Sequence, residues 1–248
     1  MPRGATVGEL AQAIARIEGR FGVHAVARGA AAERRRSELA IATGTSLDRV
    51  IGADLAAGEP LAFIGPPSVG KLALGLRAVA GAQAQGGMVA WVDPTASFDP
   101  LAAERAGVDL ERVIVVRARG DGVALAAAAA LRSEGFRLVV VDAGDSAFGG
   151  ISLDDLAPAL PAVRGSPAAL LVIAGEPWGP SAGAKPSHLA IPVCLFERVA
   201  WDRRHGRTVG WSFAVSRSGG TRRSLFCLTV EGSFAPLDSP ELLAEVAV

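Results

Sequence analysis

Gly65-Pro66-Pro67-Ser68-Val69-Gly70-Lys71-Leu72 is the stretch on which the fold of this chain turns. It meets the pattern Gly-x-x-x-x-Gly-Lys-Ser/Thr at Gly65, Gly70 and Lys71. It departs at Leu72, where a hydroxyl would hold Mg²⁺. An apolar run, Leu61–Ile64, leads into the loop, and a helical run, Lys71–Gln85, leads out and stops at Gly86-Gly87. In that setting backbone N–H groups and a helix N-terminus face an anion, and Lys71 reaches for its phosphates.

Outward from the loop, apolar runs alternate with helical ones. Strands are expected at Met88–Val92, Val113–Val116, Leu138–Val141 and Ala169–Ala174. Helices are expected at Leu101–Ala106, Val123–Glu134 and Leu153–Val163, the last bent near Pro158 and Pro161. Short, continuous apolar strands suit a parallel sheet covered on both faces, and the alternation predicts a doubly wound α/β fold. After Pro192 the helices stop. Val193–Val199, Val209–Val215 and Leu225–Val230 read as successive strands with turns at Arg204-His205-Gly206 and Ser218-Gly219-Gly220. The expectation is a mostly parallel sheet flanked by helices, with an antiparallel C-terminal extension and an N-terminal helix.

That helix spans Val7–Glu18 and sets Val7, Leu10, Ile14 and Ile17 on one stripe. Residues 23–27 read as a short strand and residues 28–38 as an Ala/Arg-rich linker. The chain therefore divides into residues 1–38, an amphipathic helix that either folds back as core or docks on another subunit, with its linker, and residues 39–248, the core.

The 248 residues are half apolar, carry no net formal charge and contain no Tyr. A protein that coats nucleic acid is usually basic overall, so any such contact here must come from a local patch. Cys194 and Cys227 are too few for a disulfide framework, and no Cys/His cluster suggests a metal site. Charges at Arg3, Glu9, Arg16, Glu18 and Arg20 argue against a signal peptide. No uncharged apolar run approaches the roughly 18–20 residues that cross a bilayer. The expectation is a cytoplasmic protein with no membrane contact.

A nucleotide site needs a second piece, an acid closing a later apolar strand, and Leu138-Val139-Val140-Val141-Asp142 supplies it. Hydrolysis needs more. Leucine at 72 cannot bind Mg²⁺, and the metal neutralises charge in the transition state. Asp93 stands where an activating carboxylate belongs, but Pro94 and Thr95 follow it, and no Glu occurs between Glu59 and Glu104. Pro67 stiffens the loop and removes one amide donor. The candidate nucleotide-binding set is Gly65, Pro66, Pro67, Ser68, Val69, Gly70, Lys71, Leu72 and Asp142. Three readings stay open: a relic of shape, ATP bound weakly without fast hydrolysis, and a working ATPase. No cofactor is required, and neither catalytic nor metal-binding residues are assigned.

Several words of the sequence resemble RecA recombinases in register. Thr43-Gly44-Thr45-Ser46-Leu47-Asp48 is similar to the family's T-G-x-x-x-L-D, with one residue fewer between Gly44 and Leu47. Trp91-Val92-Asp93 through Phe98-Asp99-Pro100 is similar to its D-A-E-H-A-L-D-P, Gly107-Val108-Asp109 to its G-V-D, and Val139–Asp142 to its V-V-D. Ile17-Glu18 and Phe21-Gly22 resemble the I-E-x-x-F-G of its polymerisation helix. The resemblance covers about residues 5–230 and implies a RecA-like P-loop core with an N-terminal docking helix. It also exposes departures. Leu72 replaces Thr, and Thr95 stands at the catalytic Glu. Phe148–Leu153 is too short for the first DNA-binding loop. Gly175-Glu176-Pro177-Trp178 replaces the Asn-Gln sensor and the start of the second loop, and the resemblance implies a core without the RecA C-terminal domain.

A short RecA-like chain with an eroded ATPase looks like the ImuA family of SOS mutagenesis factors. That resemblance implies RecA, ImuB and an error-prone C-family DNA polymerase as partners. The implied role is non-catalytic: docking on RecA or ImuB and modulating the RecA filament. The docking residues would be Val7, Leu10, Ile14, Ile17 and Phe21. A slow ATP-dependent DNA-binding switch and a SulA-like inhibitor of cell division are the alternatives. Residues 198–223 add seven arginines against the single acid Asp202. Of these, Arg203, Arg204, Arg207, Arg217, Arg222 and Arg223 are candidates to touch DNA or a neighbouring subunit, with Trp201 or Trp211 available to stack on bases.

Overall fold

Alternation along the apolar strands assigns successive side chains to opposite faces of one sheet. The computed structural model describes residues 7–21, 38–52, 54–144, 151–175, 191–204, 207–217, 223–229 and 234–236. The chain forms two compact units, residues 1–38 and 39–248. The first contains α1, Val7–Phe21. Within it Leu10 and Ile17 are exposed, Ile14 is half-buried, and the side chains of Val7 and Phe21 lie outside the described residues.

The second unit opens with a self-locked turn. The Asp48 carboxylate accepts hydrogen bonds from Thr43 N at 2.8 Å, Thr43 Oγ1 at 2.7 Å and Gly44 N at 3.1 Å. This turn starts the short helix α2, Asp48–Ile51, and buries Leu47 and Ile51. Then come β1 (Pro60–Ile64), α3 (Lys71–Ala84), β2 (Met88–Val92), α4 (Pro100–Arg105), β3 (Val113–Val116), α5 (Asp121–Arg132), β4 (Phe136–Gly144), α6 (Leu153–Leu156) and β5 (Ala169–Ala174). The strands β6 (Val193–Arg204), β7 (Arg207–Arg217), β8 (Arg223–Thr229) and β9 (Phe234–Pro236) complete the unit. They make one nine-stranded sheet in the order β3-β2-β4-β5-β1-β6-β7-β8-β9. The pairings from β3 to β6 are parallel and those from β6 to β9 are antiparallel.

Leu61, Phe63, Val89, Trp91, Leu138, Val140, Leu171 and Ile173 pack on one face with Leu74 and Val79 of α3. Their neighbours Ala62, Ile64, Ala90, Val92, Val139, Val141, Leu170 and Val172 pack on the other with Val123, Ala127 and Leu131 of α5. Burial on both faces is why these strands read as unbroken apolar runs. Small residues let α3 lie close. A Cβ added at Gly81 would strike the carbonyl oxygen of Ala42, and one at Gly75 would strike Ile173.

Several boundaries differ from the sequence expectation. β4 runs past Leu138–Val141 at both ends, because pairing to β2 and β5 continues through polar positions. The expected helix at Leu153–Val163 is a four-residue α-turn followed by a 3₁₀ segment, Ala157–Ala162, with Pro161 inside it. Proline lacks the N–H that a continuing α-helix needs. β6 is longer than expected and first lies parallel to β1, Ala62 opposite Val193 and Ile64 opposite Leu195, before it turns the sheet antiparallel. β9 was not anticipated. The expected strand at 23–27 lies outside the described residues.

Candidate functional site

The site forms at the C-terminal ends of β1, β4 and β5, where open α/β sheets place ligands. A cleft of about 630 Å³ opens there. The loop supplies Pro67, Ser68, Gly70, Lys71 and Leu72. Thr95 and Ser97 come from the connection after β2, Asp142 and Gly144 from the end of β4, and Gly175 follows β5.

The loop turns through two left-handed residues, Ser68 at φ +58° and Gly70 at φ +89°, and Gly70 caps the N-terminus of α3. Its first glycine is set by packing. β6 runs past the end of β1 so closely that a Cβ on Gly65 would strike the carbonyl oxygen of Phe196. Val69 is fully buried and anchors the turn.

Lys71 is 8% exposed, and its Nζ donates to the carbonyls of Gly65 and Pro66 at 2.6 Å each. The next carbonyl, that of Pro67, accepts a hydrogen bond from Nη2 of Arg198. That guanidinium also sits 5.0 Å over the Trp201 ring. Three consecutive loop carbonyls are thus held by side-chain cations.

Asp142 and Asp93 are both buried. Ser97 joins them: its Oγ donates to Asp142 Oδ2 at 2.7 Å and lies 3.3 Å from Asp93 Oδ1. Burial lifts the Asp142 carboxyl above its ordinary pKa, and Asp93 adds to the lift. Hydrogen bonds from Ser97 and the Gly144 N–H, and the Lys71 charge, oppose it. Asp93 also accepts from Ser97 N at 2.9 Å and Phe98 N at 3.1 Å. It therefore shapes the turn after β2, and its oxygens are occupied by donors from that turn.

This donor set does not fit Mg²⁺. Leu72 lines the cleft where the pattern places a hydroxyl ligand. Asp93 already accepts three hydrogen bonds from the turn after β2, and Asp142, itself bonded by Ser97, is the one carboxylate among the described residues that line the cleft. The loop, Lys71 and the cleft fit a phosphate chain. Thr95 lines the cleft, and its hydroxyl donates to Ser97 Oγ at 3.1 Å.

The other sequence-predicted residues are dispersed. Arg217 pairs with the buried Asp54 at 2.5 Å, which ties its guanidinium to the core unit itself. Arg207 is exposed on β7. Arg203 and Arg204 end β6 and Arg223 begins β8, but their side chains, like Arg222, lie outside the described residues. Glu176, Trp178, Phe148 and most of the two segments compared with DNA-binding loops lie outside them as well. Trp201, 46% exposed, meets Trp211 edge to face at 5.8 Å. Trp91 is fully buried against Phe98 and is core.

Sequence reasoning missed Ser97 and the particular place of Arg198. Ser97 reaches Asp142 across 45 positions, and no local pattern marks it. Arg198 was visible only as one member of an arginine cluster. A second surface was also missed. β3 is an edge strand of the sheet, and beside it lies a groove of about 510 Å³ lined by Phe98, Pro100, Leu110, Val113, Val115 and Arg117. Leu110, in its lining, is exposed.

A family model described as the RecA N-terminal domain matches residues 8–148. Protein RecA of Synechocystis sp. is 35% identical over 131 residues, 52% of this chain and 37% of that protein. Protein RecA of Streptomyces ambofaciens is 37% identical over 132 residues, 52% of this chain and 36% of that protein. The similarity spans well under half the length of these curated relatives. No helix among the described residues is long and apolar enough to cross a membrane.

Proposed function

The chain belongs to the RecA N-terminal domain family, and from that membership we propose a non-catalytic accessory protein that docks on RecA. In this reading it serves SOS-induced translesion mutagenesis in the cytoplasm, in the manner of the ImuA family. It modulates the RecA filament and meets ImuB and an error-prone C-family polymerase. The observation that carries the reading is the apolar stripe of α1, with Leu10 and Ile17 exposed within their unit. Side chains of this kind contribute about 1.5–3 kcal/mol each when fully buried, enough for a useful interface once association costs are met. The apolar groove beside β3 offers a second docking surface, since an edge strand presents unpaired backbone groups to a partner. Leu72 and Thr95 explain why docking is favoured over hydrolysis.

Immobilised RecA should retain the wild-type chain and lose the double variant Leu10→Asp, Ile14→Asp. Both substitutions place charge on the apolar stripe and lie within residues 1–38. Equal retention of the two proteins by RecA overturns the reading.

A second reading, an ATP-dependent DNA-binding switch, draws on the cleft around Lys71 and the exposed Arg207 and Trp201. It requires single-stranded DNA to bind differently with and without ATP, and Lys71→Ala to erase the difference.

A further inference from the structure

The cleft keeps its cation on α3 but has Leu72 where the pattern places the hydroxyl that holds a metal. A polyphosphate chain carries several negative charges, and Lys71 alone does not balance them. Neither Pro66 nor Pro67 can offer an amide N–H, so the loop itself supplies fewer donors than its length suggests. The tertiary structure brings one more positive charge to the rim of the cleft: Arg198, exposed, donates to Pro67, a residue of the cleft lining. β6 continues beyond the end of β1, passes Gly65 at Phe196, and sets Arg198 beside the loop apex. The β6–β7 register shifts between Arg198 and Ala200, a bulge that re-aims the side chain. The cation–π contact with Trp201, 5.0 Å to the ring centre, helps to hold the guanidinium there.

We propose that Arg198, rather than a divalent metal, supplies the second positive charge of this cleft, so that a polyphosphate chain, free or carried by a nucleotide, binds there metal-free. Lys71 and Arg198 now rest on the carbonyls of Gly65, Pro66 and Pro67. A phosphate oxygen is a stronger, charged acceptor than a peptide carbonyl, and a guanidinium can grip it with two parallel hydrogen bonds. Binding exchanges the weaker acceptor for the stronger at both cations. Leu72 then packs beside the ligand without needing to coordinate anything. The inference does not depend on the docking reading, since RecA retention and ligand binding are separate measurements.

The test is calorimetric titration of the whole chain with ATP and with tripolyphosphate, each in EDTA and in excess Mg²⁺. ATP should bind in EDTA at least as tightly as with Mg²⁺. Equal binding of tripolyphosphate assigns the affinity to the phosphates alone, and tighter binding of ATP assigns the nucleotide as the carrier. Arg198→Gln keeps a polar amide at this position but removes the charge, and should weaken ATP at least tenfold. Leu72→Thr should make Mg²⁺ strengthen binding. The proposal is overturned if ATP binds only with Mg²⁺, if neither probe binds, or if Arg198→Gln binds as wild type does. Where Arg198→Gln fails to fold, Arg198→Lys, which keeps the charge but not the guanidinium fork, takes its place, and ATP binding unchanged by both NaCl and that substitution overturns the role of Arg198.

Discussion

Asp142 shows how a residue's neighbours change its meaning. In the sequence it closes an apolar strand and reads as the second piece of a nucleotide site. In the fold it is buried, bridged to Asp93 by Ser97, and its pKa is raised, chiefly by burial. A carboxyl whose pKa is raised on folding binds its proton more tightly in the native state. The stability it contributes is complete below the ordinary value of 3.8 and is lost as pH rises through the folded value. Asp142→Asn removes that titration and leaves an oxygen to accept from Ser97. Urea midpoints taken from about pH 4 to about pH 7 should fall more in wild type than in Asp142→Asn. A constant difference between the two proteins over that range contradicts the assignment. Asp93, Asp99 and Asp109 carry the same lesson. All three match a family word in the sequence. In the structure Asp93 accepts from the turn after β2, Asp99 caps α4, and Asp109 caps a 3₁₀ turn.

At the level of elements, the loop and β6 behave as one unit. Gly65 is required by the approach of the β6 backbone at Phe196, a contact between residues far apart in sequence. Gly65→Ala must push β6 away or distort the loop. Overpacking of this kind costs about 1–3 kcal/mol. Urea unfolding should show a loss of that size, and an unchanged midpoint would mean that β6 does not lie where the structure puts it. The strands Met88–Val92, Val113–Val116 and Ala169–Ala174 were legible to the residue, because each is an apolar run bounded by a turn signal. The ends of β4 and β6 were not legible. Backbone pairing carries those strands through Arg137, Asp142 and Arg203, which a reading of side chains takes as breaks.

For the whole molecule, the central place of β6 gives a direct probe of integrity. Cys194 pairs with Phe63 on one side and Arg217 on the other and is fully buried. Burial, then the nearby Asp54, push its thiol up to about 12, against the pull of Arg217. Only the thiolate reacts, so in a Cys227→Ser background Cys194 should be modified at about pH 8 no faster than the chain unfolds. Fast modification of the native protein would mean that the sheet opens between β1 and β7. The parallel half and the antiparallel half of the sheet meet at this strand, so its protection reports on both.

The sequence by itself determined the α/β alternation, the glycine loop after β1, the lysine at its end, the missing hydroxyl at Leu72 and the apolar stripe of α1. Each is written in local spacing, and local spacing sets helix and strand periodicity directly. Only the tertiary structure decided that Asp93 is spent on its own turn, that Ser97 bridges two acids, that Arg217 answers Asp54 and that Arg198 stands over the loop. Those facts depend on where β6 and the turn after β2 arrive in space. Burial and charge pairing act across distances of a few ångströms, whatever number of residues separates the partners.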